Sequence, residues 1–327
     1  MAGIDSLPVE IIVEIASNLD FASFDALLSV NKQLRSVLGT HWGVILAEII
    51  RDEFAPYDGF LHAFEGQVTS KHGANRSLSK VEGGLQSVLN FCRVVKLWEG
   101  EFQRLKFFDL PAEQCRSFLQ DELRRLREGL YIWRRYALHF HAGERNGNVV
   151  WCGDCEDRYR FMRQFSSGEL SEVCDVWRVV KAAVGREVCP SVEKVIEQSG
   201  NMLSIAEAER IGWGEGTEND HVRATILRLL PEDILHLLLY RHRYASKTSV
   251  IQFARMRNPW IEDGTETLSS ALVSVRDEWE DISGHGEGVN LCDWVDGGGS
   301  YFKRMGFRYD QYETGSVRKG RLDPRRY

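Results

Sequence analysis

Residues 7–38 read LPVEIIVEIASNLDFASFDALLSVNKQLRSVL, and this stretch decides how the chain begins to fold. On a helix of about 100° per residue, the polar side chains of residues 9–19 fall within a sector of about 100°. Aliphatic side chains occupy the remaining arc of about 200°, whereas a surface helix needs an apolar stripe only about 100° wide. The helix predicted over residues 8–19 therefore carries more apolar surface than one neighbouring element can cover.

A second helix, predicted over residues 23–38, repeats this feature and should end at Gly39. A third helix is predicted over residues 42–54, because Pro56 prevents its continuation. Together the three helices span about 40 residues, which is close to the lower limit for independent folding. We therefore expect them to pack against the following domain, against a partner protein, or against both.

The same stretch resembles an F-box. In that family a Leu-Pro pair opens the first helix, an acidic residue follows, and aliphatic residues lead to a closing leucine. The matching residues here are Leu7, Pro8, Glu10, Ile11, Ile15 and Leu19, followed in the second helix by Leu27, Val30 and Lys32. Leu34 stands where the family often has an aromatic residue. The extension HWGVILAEIIRDEF at 41–54 is similar to that of many fungal F-box proteins.

The resemblance implies a non-catalytic adaptor rather than an enzyme. Such a protein docks on the Skp-type linker subunit of a cullin–RING ubiquitin ligase, and its other domain holds a protein substrate for ubiquitination. The partner-binding residues that the resemblance implies are Leu7, Pro8, Ile11, Ile12, Ile15, Leu19, Leu27, Val30 and Leu34. The alternative is a helical interaction scaffold that binds only the Skp subunit, outside a cullin ligase. The substrate is unknown, and no WD, leucine-rich or kelch repeat follows the F-box.

The whole chain is helical in pattern, which predicts an all-α fold. The resemblance implies an F-box over residues 1–56, with a larger helical domain after it. Residues 57–77 lack periodicity and contain three glycines, which predicts a linker or loop. The substrate-recognition domain is expected over residues 78–310, and a flexible basic tail over 311–327. The helices of the substrate-recognition domain are predicted over residues 78–106, 111–142, 169–185, 191–199, 203–211, 221–230, from Pro231 onward, 246–257 and 266–282.

Composition narrows the class of protein further. The chain has 41 Lys and Arg against 48 Asp and Glu, a net charge of −7, which argues against nucleic-acid binding by the whole protein. No apolar run approaches the roughly 18 residues of a membrane span, and the N-terminus lacks the basic residues of a signal peptide. The seven cysteines are scattered, which indicates reduced thiols. We therefore expect a protein of the cytoplasm or nucleus that does not bind a membrane.

One motif, Trp151-Cys152-Gly153-Asp154-Cys155, has the spacing of reactive or metal-binding cysteines. A thioredoxin-like role requires a preceding strand, and the sequence predicts a long helix there instead. A structural zinc site would need His139 and His141 to join Cys152 and Cys155 as four tetrahedral ligands. The third interpretation, which we favour, is that these cysteines are unliganded thiols. The sequence thus predicts no catalytic residues, no metal and no cofactor.

Overall fold

The computed structural model describes residues 7–30, 32–64, 78, 81, 83–108, 115–141, 144–145, 148–149, 155–244, 246–259, 261 and 266–283. Their fold is all-α, as the sequence predicts. The first half comprises α1 (Val9–Ser17), α2 (Phe21–Val30), α3 (Lys32–Glu53), α4 (Tyr57–His62), α5 (Gly84–Lys106) and α6 (Gln120–Phe140). Two-residue strands follow, β1 (Glu144–Arg145) and β2 (Asn148–Val149), which pair antiparallel with Glu144 opposite Val149.

The second half is also built of helices. It comprises α7 (Cys155–Met162), α8 (Ser167–Ala183), a π-helical turn (Val184–Val188), α9 (Val192–Gln198), α10 (Ile205–Ile211), α11 (Gly216–Ile226), α12 (Pro231–Tyr240), a 3-10 turn (Arg241–Arg243), α13 (Lys247–Arg257) and α14 (Leu268–Ser283). None of the described helices is both long and apolar enough to cross a membrane. The basic tail predicted over residues 311–327 lies outside the described residues.

Several boundaries differ from the sequence predictions. The single helix predicted over residues 23–38 is divided in two, since α2 ends at Val30 and α3 begins at Lys32. α3 continues through Gly39 without a break, because Leu34, Leu38 and Ile45 are buried along one face and tertiary packing outweighs the low helix propensity of glycine. The loop predicted from residue 57 begins instead with the short helix α4. Finally, α6 starts at Gln120 rather than near 111, since the Glu122 carboxylate accepts a hydrogen bond from the backbone N–H of Leu119 at 2.6 Å.

The helices enclose two large hydrophobic cores. One lies among α1–α4 and the first half of α5, and the other lies among the second half of α5, α6–α8 and α11–α14. α6 contributes to both, because Tyr131 is buried in the N-terminal core while Leu130 and Trp133 are buried in the other. The Tyr131 hydroxyl donates a hydrogen bond to the Phe54 carbonyl at 2.9 Å. The N-terminal helices are therefore joined to the rest of the chain through packed side chains.

A buried arginine also joins the two cores. Arg134, on α6, donates to the carbonyl oxygen of Ala63 and, at 3.2 Å, to the carboxylate of Glu232. Its guanidinium lies 4.9 Å from the ring centre of Phe64 and 4.6 Å from that of Phe91, which is cation–π geometry. Because the charge is buried and paired, removing either partner would be costly.

Candidate protein-docking surface

The first helix is held in place by one narrow face. Pro8 precedes α1, and its carbonyl accepts hydrogen bonds from the backbone N–H groups of Ile11 and Ile12, both at 3.1 Å. Ile12 and Ala16, which are four residues apart, are buried in the N-terminal core. The helix therefore packs with a stripe much narrower than the apolar arc that its sequence carries.

Other apolar side chains of α1 are exposed, whereas Val13 is half-buried against the N-terminal core. Ile11 and Ile15 are 41% and 36% exposed, and their spacing of four residues places them on one face of the helix. Leu7, which lies just before the helix, is 39% exposed. Pro8 is also exposed. Val9 is as exposed as Ile11, although its position in the sequence did not distinguish it from the core residues. We refer to the exposed side chains of Leu7, Pro8, Ile11 and Ile15 as the α1 surface.

The other residues of the predicted partner site are distributed differently. Ile12 and Leu34 are inside the N-terminal core, so they cannot contact a partner in this conformation. Each lies on the side of its helix that faces the neighbouring helices, α1 and α2 both packing along α3. Leu19 and Leu27 are half-buried. Val30, at the end of α2, is 78% exposed.

Specific polar contacts fix α2 in the fold. Asp20 accepts a hydrogen bond from the Ser23 N–H at 2.7 Å, which starts α2, and its hydrogen bonds to Ser23 lower the pKa of the Asp20 carboxyl. At the other side of the helix, Asp25 accepts from Arg93 Nε at 3.0 Å, so that α2 is tied to α5. These contacts fix α2, the helix that carries Leu27 and Val30 of the predicted partner site.

The candidate zinc ligands make other contacts. His141 is buried, and its Nε2 lies 3.2 Å from Thr267 Oγ1 and accepts from the Thr267 N–H at 3.3 Å. Burial, together with the nearby Arg228 and Arg158, lowers the pKa of His141 to about 3. His139 Nδ1 lies 3.0 Å from the Arg135 carbonyl oxygen.

Of the two cysteines of the Cys-x-x-Cys motif, Cys152 lies outside the described residues. Cys155 is exposed at the start of α7, and its sulfur accepts a hydrogen bond from Arg158 Nη2 at 2.9 Å. Among the residues that the structure describes, no three His, Cys, Asp or Glu side chains come together as a group that could hold a metal ion.

A cleft opens between α4, α6 and the start of α8. Its volume is about 170 Å³, and its lining comprises Pro56, Asp58, Gly59, His62, Glu128, Tyr131, Ile132, Arg135, Phe165 and Glu169. Small-molecule sites usually measure about 300–1,000 Å³. The cleft is smaller than a usual small-molecule site and is therefore a weaker candidate for the functional site than the α1 surface.

Buried acids on α8 form a separate charged cluster. Glu172 lies 3.3 Å from Arg125 Nη1, and burial together with the neighbouring carboxylate of Asp175 raises the pKa of Glu172 to about 7. Burial likewise raises the pKa of Asp175. The pair lies beside the packed crossing of α6 and α8, where it affects stability rather than presenting reactive groups to solvent.

No protein-family model, no curated protein and no solved structure matches this chain. The α1 surface is therefore the main feature of the described residues that bears on function.

Proposed function

We propose that this chain is a non-catalytic substrate adaptor that docks through the α1 surface on a Skp-type linker of a cullin–RING ubiquitin ligase and recruits a protein for ubiquitination. The observation that carries the proposal is that Ile11 and Ile15, together with Leu7 just before the helix, are exposed while Ile12 and Ala16 anchor α1 in the core. These exposed residues coincide with positions that match the F-box pattern. The proposed site of action is the cytoplasm or nucleus.

The α1 surface has the properties of a helix that fits into an apolar groove. Anchors spaced along one face are the usual means by which an amphipathic helix is recognised. Covering the exposed part of each aliphatic side chain would contribute about 1–2 kcal/mol. Because α1 is already folded on the core, little conformational entropy would be lost when a partner binds.

The test is a pull-down of a purified Skp-type linker by the full chain and by Ile11→Ser/Ile15→Ser. We expect at least a tenfold loss of linker binding with an unchanged helical circular dichroism spectrum, because both side chains face outward. The matched control is Val44→Ser, an exposed aliphatic residue on α3, which should bind the linker normally. Full binding by the double variant would contradict the docking assignment.

The alternative scaffold role uses the same surface but no cullin. Adding a cullin to the complex of chain and linker separates the two functions. Co-elution of all three proteins supports the adaptor, whereas a stable chain–linker complex that excludes the cullin supports the scaffold.

A further inference from the structure

The longest stretch of the chain without an acidic residue covers residues 234–261. It contains five basic residues, in a chain whose net charge is −7: Arg241, Arg243, Lys247, Arg255 and Arg257. In the fold this stretch forms most of α12, the 3-10 turn and α13. The arginines are exposed and the lysine is half-buried. A concentration of one sign of charge attracts partners of the opposite sign.

A cluster of aromatic rings joins α12 to α13 beneath these charges. His236 stacks on Phe253, with ring centres 4.9 Å apart and an interplanar angle of 12°. The ring of Tyr240 lies 4.8 Å from that of His236, and the ring of Tyr244 lies 5.6 Å from that of Phe253. All of these rings are half-buried. They therefore form a fixed platform at the surface, with one side in the fold and the other towards solvent.

Two arginines lie over this platform. The guanidinium carbon of Arg243 is 4.5 Å from the ring centre of Tyr240, and that of Arg257 is 5.8 Å from the ring centre of Phe253. Burial and the nearby charges of Arg257 and Arg243 lower the pKa of His236, so both arginines lie close to one ring. A guanidinium whose flat face rests on an aromatic ring keeps its N–H edge available for a carboxylate.

Most of these N–H donors have no acceptor within the part of the chain that the structure describes. Arg257 Nε donates to the buried carboxylate of Asp233 at 2.6 Å, but the Arg257 side chain is 48% exposed and its Nη atoms bond to no other described residue. Arg243 is exposed and forms no hydrogen bond or ion pair with any described residue. Two oriented guanidinium groups are therefore held ready for carboxylates that these residues do not supply.

We propose that this surface binds a short acidic peptide segment of a partner protein. Each guanidinium would take one carboxylate through two N–H groups. Met256, which is 70% exposed on α13, adds an adaptable apolar contact for the same segment. The proposal does not rest on the proposed function. The residues that form this arginine–aromatic surface are His236, Tyr240, Arg243, Tyr244, Phe253 and Arg257.

The surroundings of the surface limit the length of the bound anion. Lys247 Nζ, at the start of α13, donates to the Glu209 carbonyl at 2.8 Å, so α10 borders the surface. Residues 191–220, which include α10, contain seven acidic and two basic residues. A nucleic acid carries a charge about every 1.7 Å of double helix and would extend into this negative region. A short peptide with a few carboxylates would not.

The acidic residues of α14, the next helix in the chain, make other contacts. α14 packs on α7, where Glu278 accepts from Arg163 Nη2 at 2.6 Å. Just before α14, Glu266 accepts from the Ser269 N–H at 2.8 Å. These carboxylates are therefore engaged away from the arginine–aromatic surface, which favours an acidic segment from another protein.

Fluorescence polarisation with the full chain tests the proposal. The probe is a fluorescein-labelled peptide, Gly-Glu-Leu-Glu-Glu-Leu-Gly, and the control probe has glutamine in place of each glutamate. We expect the acidic peptide to bind at least about tenfold more tightly than the control at low salt, because only carboxylates pair with the guanidinium groups. This preference should weaken at about 1 M salt, where the screening length is about 3 Å.

Two variants separate this surface from general attraction by charge. Arg243→Glu should weaken binding of the acidic peptide at least about tenfold, because it replaces an oriented donor with a like charge. Its matched control, Arg160→Glu on α7, makes the same change of charge at a side chain that is 68% exposed and should bind normally. Tyr240→Leu keeps every charge but removes the ring beneath Arg243, and it should weaken binding several-fold. Arg243→Glu should leave linker binding unchanged, so this test is separate from that of the α1 surface.

Other results would overturn the proposal. These are equal binding of the two peptides, equal losses from Arg243→Glu and Arg160→Glu, or tighter binding of a labelled oligothymidylate than of the acidic peptide. A full chain with Glu262→Gln/Asp263→Asn/Glu287→Gln/Asp293→Asn/Asp296→Asn neutralises acids that lie outside the described residues. If the probe binds only to this variant, the chain's own acidic segments are the occupant, and the proposal of an external partner is wrong.

Discussion

Gly129→Ala should destabilise the protein, even though alanine is the better helix former. Gly129 lies within α6 where this helix crosses α8, and a Cβ there would be 2.7 Å from Val176 Cγ2 and 3.0 Å from the Glu172 carbonyl oxygen. Because one of these atoms is backbone, the two helices must separate to make room. Overpacking of this kind costs about 1–3 kcal/mol, against a gain of about 1 kcal/mol in helix propensity.

Gly100→Ala is the matched control. Gly100 lies within α5, and a Cβ at this position would meet nothing within 4 Å. Its replacement should therefore stabilise the chain by up to about 1 kcal/mol through helix propensity alone. The difference between the two variants removes the propensity contribution and leaves the packing cost at the crossing, about 1–3 kcal/mol.

Thermal and urea unfolding measure this difference. Each kcal/mol should change the melting temperature by about 2–4 °C in a chain of this size. Adding Val176→Ala removes the nearest clashing atom, so Gly129→Ala should cost less in that background than in the native chain. The reasoning is refuted if Gly129→Ala is as stable as Gly100→Ala, since the close approach of the helices would then have no energetic effect.

Three further changes have defined outcomes. Tyr131→Phe should cost about 1 kcal/mol in urea unfolding, because it leaves the buried Phe54 carbonyl without its hydrogen-bond donor. For Glu172, whose folded pKa of about 7 exceeds the usual value of 4.5, ionisation opposes folding, so Glu172→Gln should gain stability relative to the native chain as the pH rises from 4.5 to 7. The buried His141 has a pKa lowered to about 3, so the native chain should lose stability as the pH falls from 6.5 towards 3. In pH-dependent melting curves, His141→Gln should reduce that loss. An unchanged dependence of the melting temperature on pH would show that another group causes it.

Helical periodicity in the sequence predicted the fold class and the positions of most long helices. The same pattern could not show which part of the broad apolar arc of α1 is buried. Ile11 and Ile12 are neighbours of similar size, yet Ile12 is in the core and Ile11 is exposed, because this depends on where α3 lies. Periodicity describes one helix at a time and contains no information on the direction of its neighbours.

The features that sequence reasoning missed depend on distant contacts. The sequence predicts a loop at α4, because residues 57–77 lack helical periodicity and contain three glycines, but Phe60 holds this short helix in the N-terminal core. The hydrogen-bonding partner of His141 is Thr267, which is 126 residues away along the chain.

The sharing of α6 between the two cores has a consequence for attempts to transplant the N-terminal helices into another protein. Residues 7–56 alone would leave the aromatic neighbours Phe60, Phe91 and Tyr131 behind, and with them one wall of the core in which Phe54 is enclosed. A graft that keeps the native geometry must extend through α6 and therefore brings the interior surface of the second core with it. Any chimaera made from this chain has to be joined beyond residue 140, where α6 ends, rather than at the end of the F-box-like segment.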